Sequence, residues 1–124
     1  MNIALYQQRF NEHLQSAKTH CQRSDYVQAS EKVWGAISAF TNTQSKTECR
    51  SKDQKRTCFV PLLYKHLMKK QELVTEMQRL GFKGSKEIFE AAYDLHVFFY
   101  GGINLSDKQL SERILFLIRV LESL

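Results

Sequence analysis

The chain has 124 residues, 43% hydrophobic and 25% charged, with a formal net charge of +5, the profile of a soluble globular protein of one domain spanning 1–124. No run of about 18 apolar residues occurs, which excludes a hydrophobic membrane span, and the start "MNIALYQQRF" lacks the basic region of a signal peptide. Three cysteines without a CxxC argue against a disulfide framework and a cysteine-rich zinc site, so a reduced, cytoplasmic protein is expected.

The first predicted element is a helix over 3–22. Ile3, Tyr6, Phe10, Leu14, Ala17 and Cys21 recur at steps of three and four, one stripe down one face. A second helix is predicted over 25–42. Asp25 and Gln28 are spaced as a capping box, and Tyr26, Ala29, Val33, Ala36, Ile37 and Phe40 form its main stripe. Val27 and Trp34 lie about 100° round from that stripe. A helix apolar on more than one side is expected to be central. Gly35 stands mid-helix at a disadvantage of about 1 kcal/mol against alanine, which predicts the close approach of another helix.

Residues 43–58, "TQSKTECRSKDQKRTC" with their flanks, show no apolar period and read as a long polar loop. A third helix is expected from about Val60 to Leu80, with Pro61 in its first turn and Gly81 as its C-terminal cap. A fourth runs from about Ser85 to Tyr100, capped by Ser85 and stopped by Gly101-Gly102. A fifth starts at Ser106, where Ser106 and Gln109 match a capping box and Leu105 and Leu110 a hydrophobic staple. The fold class is all-α, a bundle of about five helices with a long basic loop between helices two and three.

The charge is local. Residues 46–70 carry Lys46, Arg50, Lys52, Lys55, Arg56, Lys65, Lys69 and Lys70 against two acidic residues, whereas the rest carries ten basic and eleven acidic. Such a segment can attract phosphate backbones or other anions, the alternative being a solvated loop. Specific chemistry is harder to find. The histidines at 13, 20, 66 and 96 make no HxxxH or HExxH, so no metal or cofactor is expected. "GFKGSK" matches no phosphate-binding loop, and no GxSxG occurs. Arg9 and His13 are four apart on one helix surface, where an arginine could steady a phosphate while a histidine moves a proton. His96 falls inside the apolar arc of its helix but near its edge, and Asp94 is on another face. It reads as a core-edge or interface histidine, with a functional one as the alternative.

Two stretches carry a resemblance. "SDYVQASEKVWGAI" (24–37) and "LHVFFYGG" (95–102) are similar to motifs of a PaREP-type archaeal family of small proteins. The resemblance implies a HEPN-like helical bundle, a class that often dimerises and binds nucleotides, RNA or a nucleotidyltransferase-type partner protein. Many such proteins are metal-independent ribonucleases whose motif is an arginine, about four to six intervening residues and then a histidine. This chain lacks that motif. Arg9 and His13 stand too close, Arg79 is too far from His96, and nine residues separate Arg56 from His66. Phe98 and Gly101 replace the family's asparagine and glutamate. The resemblance therefore implies a non-catalytic homodimer that binds nucleic acid or nucleotide, the alternatives being a divergent ribonuclease using His96, or Arg9 with His13, and a protein-interaction partner of a nucleotidyltransferase-type protein. Glu31, Lys32, Trp34, Gly35, His96 and Tyr100 are then motif residues for packing and dimer contacts.

Overall fold

A computed structural model describes all 124 residues. It holds six helices and no strand: α1 (Ile3–Gln22), α2 (Tyr26–Ser45), α3 (Lys52–Leu67), α4 (Gln71–Arg79), α5 (Ser85–Phe99) and α6 (Asp107–Ser123). None is long and apolar enough to cross a membrane.

α1 and α2 form a hairpin. Asn2 caps α1 by accepting the Leu5 N–H, and Asp25 caps α2 by accepting the Gln28 N–H. Between them Ser24 takes a left-handed φ of 59°. α2 is the central helix, packed against α1, α3, α5 and α6, as its two-sided apolar pattern predicts. The core is a cluster of 22 buried residues drawn from all six helices, with Ile37, Phe59, Leu63, Ile88, Phe89, Leu95, Ile114 and Phe116 among its largest members.

The structure shortens the long loop to Lys46–Ser51. At one end α2 continues to Ser45, because the hydroxyls of Thr41, Thr43 and Ser45 turn back onto the carbonyls of Ile37, Ala39 and Thr41. At the other end α3 starts at Lys52 rather than Val60. Ser51 accepts the Gln54 N–H while the Gln54 side chain accepts the Ser51 N–H, a capping box hidden in a polar run. Pro61 consequently lies inside α3, not in its first turn.

The expected helix from Val60 to Leu80 divides at Met68–Lys70 into α3 and α4. Leu67 and Leu73 are both buried, yet on one straight helix they would lie about 120° apart. The break lets both face inward. Lys69 and Lys70 close it by donating to the carbonyls of His66 and Leu67. The bundle thus has six helices where the pattern predicts about five.

Gly81 (φ 88°) ends α4 and Gly101 (φ 81°) ends α5, both in the left-handed region that glycine reaches without strain. Ser85 is the first residue of α5 rather than its cap. Gly84 holds the cap position without a side-chain bond, and Glu87 reaches back to the Lys83 N–H instead. Ser106 and Gln109 cap α6 as their spacing predicts.

Candidate functional site

The eight cations of the basic segment divide into two groups. In the first, each charge is used locally. Arg50 meets Glu48 at 2.8 Å, and Glu48 also accepts from the Tyr6 hydroxyl. Lys52 and Arg56, one turn apart on α3, clamp the Glu90 carboxylate of α5 at 2.8 and 3.4 Å, and Arg56 holds Asp53 at 2.7 Å. The Lys52 ammonium also lies 4.2 Å from the centre of the Tyr93 ring. Hydrogen bonding from Lys52 holds the Glu90 carboxyl below its ordinary pKa, with Arg56 assisting. Lys55 donates to the Arg50 carbonyl at 2.7 Å.

In the second group, Lys46, Lys65, Lys69 and Lys70 have no carboxylate within ion-pair distance. Three of them surround the end of α3. An open cleft of about 260 Å³ lies there, with Phe40 and Leu62 on its apolar wall and Gln44, Lys65, His66 and Lys69 on its polar one. His66 Nε2 is 2.7 Å from Ser123 Oγ, and that hydroxyl already donates to the Val120 carbonyl. The imidazole is therefore the donor, through Nε2–H, which leaves Nδ1 with a lone pair. Burial and the charges of Lys70 and Lys69 push the His66 pKa down. An anion in the cleft would counter those lysines and favour the imidazolium.

His96 has a partner that the sequence reading lacked. Its Nδ1 lies 3.0 and 3.1 Å from the two oxygens of Glu31, across the α2–α5 seam. The carboxylate fixes the proton on Nδ1 and leaves Nε2 as the free nitrogen. Trp34, Tyr93 and Tyr100 ring the imidazole, with centroids 5.6, 5.8 and 5.1 Å away. Trp34 is buried, the Glu31–His96 pair half-buried, and Tyr100 exposed. The pair is a positioned proton acceptor with no free cation beside it, since Lys52 is held by Glu90.

Arg9 and His13 make different contacts. The Arg9 guanidinium lies 5.4 Å from the centre of the Tyr6 ring. The His13 ring packs on Gly35, where an added Cβ would meet three ring carbons at 3.1 Å. This is the close approach that Gly35 predicts, made by α1. Lys32 beside His13 adds to burial in lowering its pKa. Thus close approach at Gly35, burial of Trp34 and cross-helix pairing of Glu31 all occur inside the chain. No three His, Cys, Asp or Glu side chains converge as a metal site.

The Glu31–His96 contact was hard to foresee, because 65 positions separate its members. The available signal was indirect: each member lies in one of the two stretches that carry the family likeness. The Glu90 clamp and the His66–Ser123 bond left no such trace.

No curated protein and no solved structure matches the chain significantly. A family model does, over residues 5–114, which takes in α1 through the first half of α6 and both motif stretches. The chain belongs to the archaeal PaREP1/PaREP8 family.

Proposed function

We propose that the protein is a non-catalytic, HEPN-like cytoplasmic module that binds nucleic acid or nucleotide through phosphate contacts, as a homodimer. One observation carries this reading: Lys65 and Lys69 line a cleft with an apolar wall beside His66, Lys70 adds its charge next to that imidazole, and none of the three has a carboxylate partner. Unpaired cations keep their field for an incoming phosphate, whereas Lys52 and Arg56 are largely neutralised by Glu90. Lys46 is a further free cation on the segment that follows α2.

The test is fluorescence anisotropy with labelled single-stranded RNA, duplex DNA and ATP at about 50 and 200 mM salt. Wild type is expected to bind at low salt and weaken steeply as salt rises. Lys65→Glu, Lys69→Glu and Lys70→Glu combined are expected to weaken binding at least tenfold. Lys52→Gln with Arg56→Gln should change it little. No binding of any probe at low salt sinks the proposal. Light scattering during gel filtration tests the homodimer.

The second reading, a divergent ribonuclease, is favoured by the Glu31–His96 pair, because a carboxylate-oriented imidazole is a working general base. If wild type, His96→Ala and Glu31→Gln leave a mixed RNA substrate equally intact, that reading fails.

A further inference from the structure

The segment between α2 and α3 brings two thiols together. Cys49 and Cys58, nine positions apart, place their sulfur atoms at 3.3 Å. Cys49 lies in the short connection, where its N–H donates to the Asn42 side-chain oxygen at 2.7 Å. Cys58 lies on the second turn of α3. The Ser51–Gln54 capping box holds that helix start in place, and Asn42 holds the loop against α2. The two sulfurs therefore face each other from two separately anchored pieces of backbone. Both border an open cleft of about 470 Å³, whose rim carries Glu48 and Asp53. Cys21, on α1, has no such neighbour.

The surroundings treat the two thiols differently. Burial alone would raise the Cys49 pKa. The polar contacts with Ser45, Cys58 and Thr47, together with the positive charge of Lys55, outweigh burial, and the net direction is down. Cys58 moves the other way, raised by its contact with Cys49 and by burial. Ser45 Oγ lies 3.5 Å and Thr47 Oγ1 3.8 Å from the Cys49 sulfur. Cys49 is thus the more readily ionised of two facing sulfurs and Cys58 the less, the order expected of an attacking and a resolving cysteine.

We propose that Cys49 and Cys58 form a reversible redox site, oxidised to an intramolecular disulfide by a small hydroperoxide. The Cys49 thiolate attacks one oxygen of the peroxide. An S–O bond forms, the O–O bond breaks, and the second oxygen leaves as hydroxide. The Cys58 thiol then loses its proton and attacks the Cys49 sulfur. The S–S bond forms, the S–O bond breaks, and the departing hydroxide takes up that proton as water. Two thiols have lost two electrons, hydrogen peroxide has gained them, and the net products are one disulfide and two waters. A dithiol reductant reverses the change by exchange. The bond fastens the Lys46–Ser51 connection to α3. The proposal is independent of phosphate binding, and its readout is chemical.

Folded wild-type protein is exposed to equimolar hydrogen peroxide, quenched with N-ethylmaleimide under denaturing conditions, and measured by intact mass and peptide mapping. The expected product has lost about 2 Da before alkylation, takes up one maleimide where the reduced protein takes up three, and yields a peptide linking Cys49 to Cys58. Dithiothreitol restores three. In Cys58→Ser, dimedone is expected to trap a sulfenic acid at Cys49, and Lys55→Gln should slow oxidation several-fold. Retention of all three thiols overturns the proposal. So does loss of the three at equal rates, or a disulfide that involves Cys21 or joins two chains. Trapping at Cys58 in Cys49→Ser, with none at Cys49 in Cys58→Ser, overturns the assignment of the attacking sulfur.

Discussion

Two seams of α2 each hold a histidine, and the two differ in what the neighbouring helix offers. At the α1 seam, His13 lies on Gly35 next to Lys32 and is pushed towards its neutral form. At the α5 seam, His96 is held by the Glu31 carboxylate and ringed by Trp34, Tyr93 and Tyr100. Glu31 and Lys32 are consecutive. The turn of about 100° between them sends one charge to each seam. The same residue type therefore becomes a packed ring on one side and a carboxylate-oriented one on the other. The short stretch "SEKVWG" sets both environments, and its members can be changed one at a time.

The largest effect is expected at the α5 seam. Trp34 touches Phe89 at 5.8 Å and Tyr93 at 5.4 Å between ring centres, and is only 7% exposed. Trp34→Ala should lower stability by about 3–5 kcal/mol in urea unfolding. A loss under 1 kcal/mol would mean that the aromatic ring does not hold this seam. Next is the Glu31–His96 hydrogen bond itself. Glu31→Gln and His96→Gln, alone and together, form a double-mutant cycle. The coupling between them is expected at about 1–2 kcal/mol, since a half-buried charged hydrogen bond lies above an exposed pair and below a fully buried one. Additive effects would reduce Glu31 and His96 to independent packing residues.

A smaller effect separates the α1 seam. Gly35→Ala gains up to about 1 kcal/mol of helix propensity but presses a methyl group into the His13 ring. In wild type the contact should win, for a net loss of about 1 kcal/mol. In a His13→Ala background the ring is gone, and Gly35→Ala should become stabilising. A thermal melt of the four proteins reads the change of sign. The same sign in both backgrounds would show that His13 is not what keeps position 35 a glycine.

The residues visible in the sequence are those whose effect is local or periodic. Asp25, Gly81, Gly101 and the Ser106–Gln109 box act within a few positions of themselves, and the structure uses each as its spacing predicts. The apolar stripes of α1, α2 and α6 declare which faces pack. The Ser51–Gln54 box is equally local, but it lies in a polar run without apolar period, which reads as a loop. The division of α3 from α4 has no glycine or proline to mark it. It answers to where α5 and α6 sit, which no window of the chain contains. Site chemistry followed the same rule. Lys65, Lys69 and Lys70 were visible as a cluster, but the Glu90 clamp that removes Lys52 and Arg56 from that cluster joins two helices. Glu31 with His96 and Cys49 with Cys58 are also meetings made by the fold.

The smallest expected effect is a pH dependence at the α1 seam. Burial first, and then Lys32, lowers the pKa of His13 below its ordinary 6.5, with Arg9 adding to this and Glu12 opposing it. The unfolded chain therefore binds the proton more readily than the folded one. The stabilising contribution is complete above the unfolded pKa and is lost as pH falls from there through the folded one. His66, lowered by burial and by Lys70 and Lys69, acts in the same direction. Urea midpoints at pH 7.5 and 5.5 should fall for wild type and fall less for His13→Gln. An equal fall in both would place the acid sensitivity outside the α1 seam. If His13→Gln fell further than wild type, the folded state would be the one that prefers the imidazolium, and Lys32 would not be acting on that ring.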